Sequence, residues 1–106
     1  MSINEINIET KCVQAGYSPD NTAPRVAPIV QSTTYKYDSC DSLANAFNLA
    51  QATPIYTRLG NPTLSVLEEK IAALEGGVAA VTTSSDQSTI FFSVLALAKA
   101  EDNIIS

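Results

Sequence analysis

The sequence Tyr56-Thr57-Arg58-Leu59-Gly60-Asn61-Pro62-Thr63 decides how the rest of the chain is interpreted. Asn61 is a preferred N-cap residue, and Pro62 stands at the first helical position, where its missing N–H costs no hydrogen bond. An amphipathic segment follows and ends at Gly76-Gly77, a typical helix stop. The stretch therefore predicts a polar loop and then a helix whose apolar stripe is Leu64, Leu67, Ile71 and Leu74. Glu68, Glu69 and Lys70 fall mostly off that stripe.

The residues after this helix have the pattern of an α/β unit. Val78 to Thr82 is a short apolar segment that predicts a buried strand, and Gln87 to Ala100 predicts a helix that is apolar nearly all round. Asn103 to Ser106 begins a second strand. A strand–helix–strand of this length predicts a parallel, right-handed crossover. Parallel sheets need cover on both faces, so we expect an incomplete part of a larger α/β domain.

The residues before Tyr56 predict a long arm. Residues 5–15 suggest a short helix that stops at Gly16, and three prolines within residues 19–28 favour extended segments and turns. Ile29 to Tyr37 is β-prone. Asp38 to Leu49 predicts another helix, capped by Asp38, Ser39 or Asp41. We therefore divide the chain into an arm, 1–55, that packs on another surface, and the start of a large domain, 56–106.

Composition excludes several function classes. The chain has 106 residues and a net charge of −5, without clustered Lys or Arg, which argues against nucleic acid and anionic membrane surfaces as partners. It contains no His, so a His-based metal site and a Ser-His-Asp triad are both excluded within it. Two cysteines, Cys12 and Cys40, and the absence of a signal-peptide pattern favour a reduced, cytoplasmic setting.

Two groups of residues are candidates for chemistry. Tyr56 and Arg58 are two apart, so in an extended stretch both side chains would point the same way and converge on one anion. The alternative is a surface Arg beside a half-buried Tyr. The turn Thr83-Ser84-Ser85-Asp86-Gln87 places hydroxyls and free N–H groups at a helix N-terminus, which suits an anion. The alternative there is that Ser85 or Asp86 is an ordinary helix cap.

Together these motifs resemble the Cys/Met-metabolism family of pyridoxal-phosphate enzymes. The family includes O-acetylhomoserine sulfhydrylases, methionine γ-lyases, and cystathionine synthases and lyases. Ser85-x-Gln87 is most similar to the sulfhydrylases, because the γ-lyases tend to carry Met at the third position. The resemblance covers nearly the whole chain and rests on Tyr56-Thr57-Arg58, Asn61-Pro62-Thr63, Leu67-Glu68, Ala72 to Gly77, the Ser/Thr-rich turn, Ala15-Gly16-Tyr17 and the arm from Ala27 to Thr34.

The resemblance implies a fold-type I α/β enzyme whose active sites lie between the two subunits of a dimer, with dimers pairing into tetramers. Tyr56 and Arg58 would bind the phosphate of pyridoxal phosphate in the neighbouring subunit. Backbone N–H groups at Ser85, Asp86 and Gln87 would hold the phosphate of the chain's own cofactor. The arm would pack on neighbouring subunits.

The sequence departs from the family pattern in two respects. Asp86 stands where the family has Gly, and a carboxylate ~4 Å from a phosphate would oppose binding by about 4 kcal/mol per charge pair at an effective dielectric of ~20. The chain also ends before the family's Schiff-base Lys, and none of its own four Lys has a suitable context. We therefore expect no catalytic residue and no metal ligand here, and an inactive chain in isolation.

The expected function of the whole protein is γ-replacement on O-acetylhomoserine by sulfide or a thiol, giving homocysteine or methionine and acetate. A methionine γ-lyase or a cystathionine γ-synthase or lyase is the alternative within the family. A non-catalytic, truncated assembly module is the alternative from another class.

Overall fold

The computed structural model describes residues 6–105, and helices are its main regular elements. They are α1 (Ile8–Gln14), α2 (Cys40–Phe47), α3 (Pro62–Glu75) and α4 (Asp86–Leu97). Long irregular segments join them. Within the described residues, one isolated antiparallel bridge, between Thr34 and Tyr56, pairs the arm with the loop before α3.

Helix α3 has the termini that its sequence predicts. Asn61 is the extended N-cap residue, with φ −135° and ψ 133°, and its side-chain oxygen accepts from the N–H of Thr63 at 2.9 Å. Pro62 occupies the first turn. Gly76 caps the other end in the left-handed conformation, φ +67°, and its N–H bonds to the carbonyl of Ala72. Local chemistry alone therefore sets both ends of this helix.

The other predicted helices are present with shifted ends. Ser39 is the cap of α2, and its Oγ accepts from the N–H of Ser42 at 3.1 Å. Helix α4 ends at Leu97, before the predicted Ala100, and Ala98 is extended. The N–H of Lys99 instead bonds to a carboxylate oxygen of Asp102 at 2.7 Å. A side chain that offers a backbone donor a local acceptor competes with the helix in this way.

The predicted strands are not formed within residues 6–105. Val78 to Thr82 and the described part of the segment beginning at Asn103 lie outside any ladder, and Ser106 lies outside the described residues. The β-prone segment Ile29 to Tyr37 contributes only its bridge at Thr34. The prediction that Val78 to Thr82 pairs with the segment beginning at Asn103 was wrong for the described residues. An apolar extended segment becomes a strand only beside a partner strand. Two parallel strands without further cover are too weak to pair alone.

Asn61 holds the arm, the loop and α3 together. The residue is 6% exposed. Its Nδ2 donates to the carbonyl oxygen of Val30 at 3.0 Å and to Thr57 Oγ1 at 3.2 Å, and the Tyr35 hydroxyl lies 3.4 Å away. The same side chain caps α3, so one amide serves both as a helix cap and as the anchor of a segment about 30 residues distant.

Thr63 adds a second anchor for the arm. Its Oγ1 donates to the carbonyl oxygen of Pro28 at 3.0 Å and accepts from the N–H of Val30 at 2.8 Å. The first turn of α3 thus contacts the backbone of the arm on both sides of Ile29. These two hydrogen bonds fix the start of the β-prone segment in place without strand pairing.

Gly16 allows α1 to approach α3 closely. It has φ +83°, and a Cβ built on it would lie 2.2 Å from the carbonyl oxygen of Val66 and 2.9 Å from the backbone nitrogen of Lys70. Ala15, beside it, is 1% exposed. The turn after α1 therefore packs backbone against backbone, which only Gly permits.

The apolar core among the described residues is small. Among residues 6–105 the buried apolar side chains are Ala15, Ala46 and Ala72, whereas three residues of the α3 stripe (Leu64, Leu67 and Ile71) and most apolar residues of α4 are exposed. The radius of gyration is 17.2 Å, compared with about 13 Å for a compact chain of this length. The two helices therefore present open apolar faces. Within residues 6–105 no helix is long and apolar enough to cross a bilayer.

We predict that Gly16→Ala destabilises the protein by at least about 1–2 kcal/mol, because it combines a positive φ with a backbone clash. Gly60→Ala is the matched control, since Gly60 lacks a positive φ and a Cβ there meets no atom within 4 Å. Urea unfolding followed by circular dichroism measures both. Equal midpoints for the two variants would contradict the close approach of α1 to α3.

We predict that Asn61→Ser costs less stability than Asn61→Ala. Ser keeps the helix cap and loses the bonds to the arm, at about 1 kcal/mol, whereas Ala loses both, at about 2 kcal/mol or more. Asn45→Ala on the exposed surface of α2 is the control, with an expected change within about 0.5 kcal/mol. Thermal unfolding measures the order, and indistinguishable Ser and Ala variants would show that the cap is not used.

Candidate functional site

The side chains of Tyr56 and Arg58 meet in the structure. Arg58 Nη2 lies 3.4 Å from the Tyr56 hydroxyl, and its guanidinium carbon lies 5.2 Å from the centre of the Tyr56 ring. Arg58 is exposed and Tyr56 is half-buried. A permanent cation and a hydroxyl donor therefore point from the protein surface at one place, and both can bind an anion.

The convergence arises from a turn and not from an extended stretch. The carbonyl oxygen of Tyr56 accepts from the N–H of Leu59 at 2.8 Å and from that of Gly60 at 3.2 Å. The prediction that residues two apart in a strand share a face was thus wrong about the backbone. The two heads meet because the chain folds back at residues 57–59 and carries Arg58 over the Tyr56 ring.

Thr57, between the two candidate residues, fixes the position of the turn. Its N–H donates to the carbonyl oxygen of Thr33 at 3.0 Å, and its Oγ1 donates to the carbonyl oxygen of Ser32. Thr57 Oγ1 also lies 3.2 Å from the Tyr35 hydroxyl. Sequence reasoning did not single out Thr57. A hydroxyl residue flanked by two candidate ligands was the available signal.

The second candidate group, Ser85, Asp86 and Gln87, forms the start of α4. Ser85 is the N-cap, and its Oγ accepts from the N–H of Ser88 at 3.2 Å. Asp86 and Gln87 occupy the first turn, where N–H groups have no preceding helical acceptor. All three residues are exposed. Ser85 is therefore an ordinary cap, and the N–H groups after it are still available to a ligand.

A cleft of about 460 Å³ lies between α3 and the start of α4. Its lining combines the apolar stripe of α3 with the hydroxyl-rich turn: Leu67, Glu68, Ile71, Ala80, Val81, Thr82, Thr83, Ser84, Ser85, Asp86 and Thr89. An apolar wall beside a helix N-terminus suits a ring that carries a phosphate. The Tyr56–Arg58 pair is not part of this lining, so the two candidate groups do not share one cavity in this chain.

The charged side chains that line the cleft are both acidic. They are Glu68 and Asp86, and none of the four Lys or two Arg of the chain lines it. The donors that fit a phosphate are thus the N–H groups and hydroxyls at the start of α4, and Asp86 is the residue that does not fit. The charge of a phosphate would have to be balanced by a cation from elsewhere.

Glu68 has a specific contact that the sequence did not predict. Its Oε1 accepts from both the N–H and the Oγ1 of Thr82, each at 2.8 Å. The helical pattern had placed Glu68 off the apolar stripe with the exposed Glu69. No sequence signal separates the two, because the partner of Glu68 lies fourteen residues away.

Within residues 6–105 there is no group of three or more acidic, Cys or His side chains that could hold a metal ion. Cys12 and Cys40 are both free and exposed, so they do not form a disulfide here. The two candidate groups thus offer hydroxyls and backbone donors at the start of α4, and Tyr56 and Arg58 on the loop before α3.

Comparison with known families gives one match over most of the chain. The sequence model of the Cys/Met metabolism PLP-dependent enzyme family matches residues 9–106. Among curated relatives, the homocysteine synthase of Schizosaccharomyces pombe is 43% identical over the whole chain and 25% of its own length. The O-acetyl-L-homoserine sulfhydrylase 1 of Thermus thermophilus is 43% identical over 95% of this chain and 24% of its own.

Solved structures give the same fold. A Campylobacter jejuni protein described as an O-acetylhomoserine (thiol)-lyase superposes with a TM-score of 0.83 and 34% identity, covering 92% of this chain and 23% of that one. It carries a pyridoxyl-lysine-phosphate group. The metB protein of Corynebacterium glutamicum superposes with a TM-score of 0.79 and 30% identity, over 96% and 25% of the two chains.

The predicted fold class and cofactor are confirmed by these relatives. The described residues form a mostly helical part of the α/β fold of such enzymes, and the family depends on pyridoxal phosphate. The chain spans about a quarter of the length of the relatives it matches. With 98 of its residues matched by the family model, this chain belongs to the Cys/Met-metabolism family of pyridoxal-phosphate-dependent enzymes.

Proposed function

We propose that the chain is the N-terminal portion of an O-acetylhomoserine sulfhydrylase. The whole protein would join O-acetylhomoserine with sulfide or a thiol, giving homocysteine or methionine and releasing acetate. The names of the relatives at 43% identity support this reaction. The observation that carries the proposal is the Tyr56–Arg58 pair, held on a fixed turn outside the chain's own cleft.

The residues of this chain would bind and orient, and the chemical step would depend on groups outside it. Pyridoxal phosphate, when bound, supplies the electron sink for carbanion chemistry while acetate leaves from Cγ. We expect none of the four Lys in residues 1–106 to form the Schiff base with the cofactor. We assign no catalytic residue and no metal ligand to residues 1–106.

We assign the phosphate to two groups of residues from two subunits. Backbone N–H groups at Ser85, Asp86 and Gln87 would hold it at the start of α4, where the helix dipole favours negative charge. Tyr56 and Arg58 of a neighbouring subunit would supply the hydrogen bond and the cation. The acidic lining of the cleft supports this division, because the positive charge has to come from elsewhere.

A phosphate site shared between two subunits also implies a domain organisation and an assembly for the whole protein. Residues 1–55 would be an arm at a subunit interface, and 56–106 the start of the cofactor-binding large domain. Dimers would pair into tetramers in the cytoplasm, with small-molecule substrates and without nucleic acid or membrane as partners. The open apolar faces of α3 and α4 support contact with further protein.

Two alternatives keep specific support. The L-methionine gamma-lyase of Fusobacterium nucleatum is 40% identical over the whole chain, which favours a lyase of the same family. Asp86, exposed at the first position of α4, favours a non-catalytic assembly module that has lost the cofactor. Cofactor titration and product analysis of the whole protein separate these alternatives from the sulfhydrylase.

We predict that Arg58→Ala in the whole protein weakens pyridoxal-phosphate binding by about tenfold or more, since it removes a charge-assisted contact. Ser85→Asp should also weaken binding: Asp still caps α4 but adds a carboxylate beside the phosphate. Oligomers reassembled from both variants should regain activity, because one site of each mixed dimer then has an intact α4 start and an intact Arg58.

The control for this complementation is the Arg58→Ala protein dissociated and reassembled alone, which should regain nothing. Mixed oligomers that stay as inactive as their components would contradict a site shared between subunits. Loss of binding in Arg58→Ala without complementation would place Arg58 in its own subunit's site.

We predict that Asp86→Gly increases the affinity of the whole protein for pyridoxal phosphate at least about fivefold, the equivalent of roughly 1 kcal/mol of relieved repulsion at an exposed position. Asp86→Asn, which removes the charge and keeps the size, should recover most of the gain. The visible absorbance of the bound cofactor measures both. Equal affinity for the three proteins would show that Asp86 faces away from the phosphate.

A further inference from the structure

Glu68 makes the contact that joins α3 to the segment leading into α4. One carboxylate oxygen, Oε1, accepts from Thr82 twice, from its N–H and from its Oγ1, both at 2.8 Å. Hydrogen bonds to an ionised acceptor are roughly twice as strong as neutral ones. Glu68 is half-buried, which shields the contact from water.

Among the described residues, no other hydrogen bond joins residues 78–84 to α3. Residues 78–82 form no ladder, so no strand neighbour holds them in place. The two bonds from Thr82 to Glu68 are the hydrogen bonds that tie residues 78–84 to α3. Glu68 therefore sets the distance between α3 and the chain just before the turn.

Hydrogen bonds link the residue after Thr82 to the start of α4, so the position of Thr82 affects the position of the helix start. The next residue, Thr83, donates from its Oγ1 to the carbonyl oxygen of Ser85 at 2.9 Å and lies 2.6 Å from Thr89 Oγ1. Ser85 is the N-cap of α4. A displacement of Thr82 would therefore displace the N–H groups after Ser85 as well.

The negative charge of Glu68, considered by itself, predicts that this residue weakens phosphate binding. Its carboxylate lines the same cleft as Asp86, so it would repel a phosphate bound at the start of α4. A residue that mattered only through its charge would bind cofactor better once neutralised. A residue that mattered through its hydrogen bonds would bind worse once they were removed.

We propose that Glu68 is a positioning residue for the cofactor phosphate: its two bonds to Thr82 hold the start of α4 at the wall of the cleft. The proposal rests on the proposed function, in which the phosphate binds at Ser85, Asp86 and Gln87. It adds a residue on α3 that would act through Thr82 and not by a bond of its own to the phosphate.

The test compares three variants of the whole protein by titration with pyridoxal phosphate. Glu68→Ala removes both bonds and should weaken binding about tenfold. Glu68→Gln keeps a side-chain oxygen for both donors and should stay within about threefold of the wild type. Glu69→Ala is the matched control, since Glu69 is the exposed neighbour, and should stay within about twofold.

Amide hydrogen exchange without cofactor gives a second readout. The N–H of Thr82 should exchange faster in Glu68→Ala and at the wild-type rate in Glu69→Ala. If Glu68→Ala does not fold, Thr82→Val decides the matter. It removes one of the two bonds at nearly constant shape, and it should weaken cofactor binding about threefold to tenfold.

Each outcome separates this proposal from the one it rests on. If Ser85→Asp weakens binding and neither Glu68→Ala nor Thr82→Val does, the role of Glu68 is wrong and the phosphate site stands. If all of these variants bind normally, the phosphate site itself is wrong and the role of Glu68 falls with it. If Glu68→Gln and Glu68→Ala both bind more tightly than the wild type, Glu68 acts through its charge, which overturns the proposal.

Discussion

The buried amide of Asn61 is the constraint on which the described structure depends. It caps α3 through one atom and holds the arm and the loop through the other. The same amide donates to Thr57, which lies between Tyr56 and Arg58. Asn61 therefore also helps to fix the position of the Tyr56–Arg58 pair. A buried polar network of this kind orders its surroundings only while every member is satisfied. Within the described residues no buried side-chain polar atom lacks a partner.

Local signals predicted the helices well. Asn61, Pro62 and Gly76 gave both ends of α3, and one of three candidate caps, Ser39, starts α2. What local signals could not give were the ends decided by distant or competing groups. Helix α4 is shorter than its apolar run because Asp102 takes the N–H of Lys99. Within residues 6–105 the predicted strands do not form, because pairing depends on partners that an apolar pattern does not specify.

The sequence predicted that the side chains of Tyr56 and Arg58 converge, but it did not predict how the backbone brings them together. Tyr56 and Arg58 were chosen for their chemistry, and they do meet, yet by a turn and with Thr57 as the anchor. The contact of Glu68 with Thr82 lay beyond prediction, because helical periodicity treats Glu68 and Glu69 alike. Side chains that act across fourteen residues are visible only once the chain is folded. The family resemblance predicted the cofactor, which the relatives confirm.

The small core has a thermodynamic consequence. Buried apolar surface gives unfolding its large positive heat capacity, whereas exposure of polar groups lowers it. In the part of the chain that the structure describes, the buried apolar side chains are three alanines, and hydrogen bonds at Asn61 and Thr63 hold the arm against α3. The described part of the chain should therefore have a small heat capacity of unfolding and a stability curve with little curvature. The steep dependence on temperature that is typical of globular domains would appear only once α3 and α4 are covered.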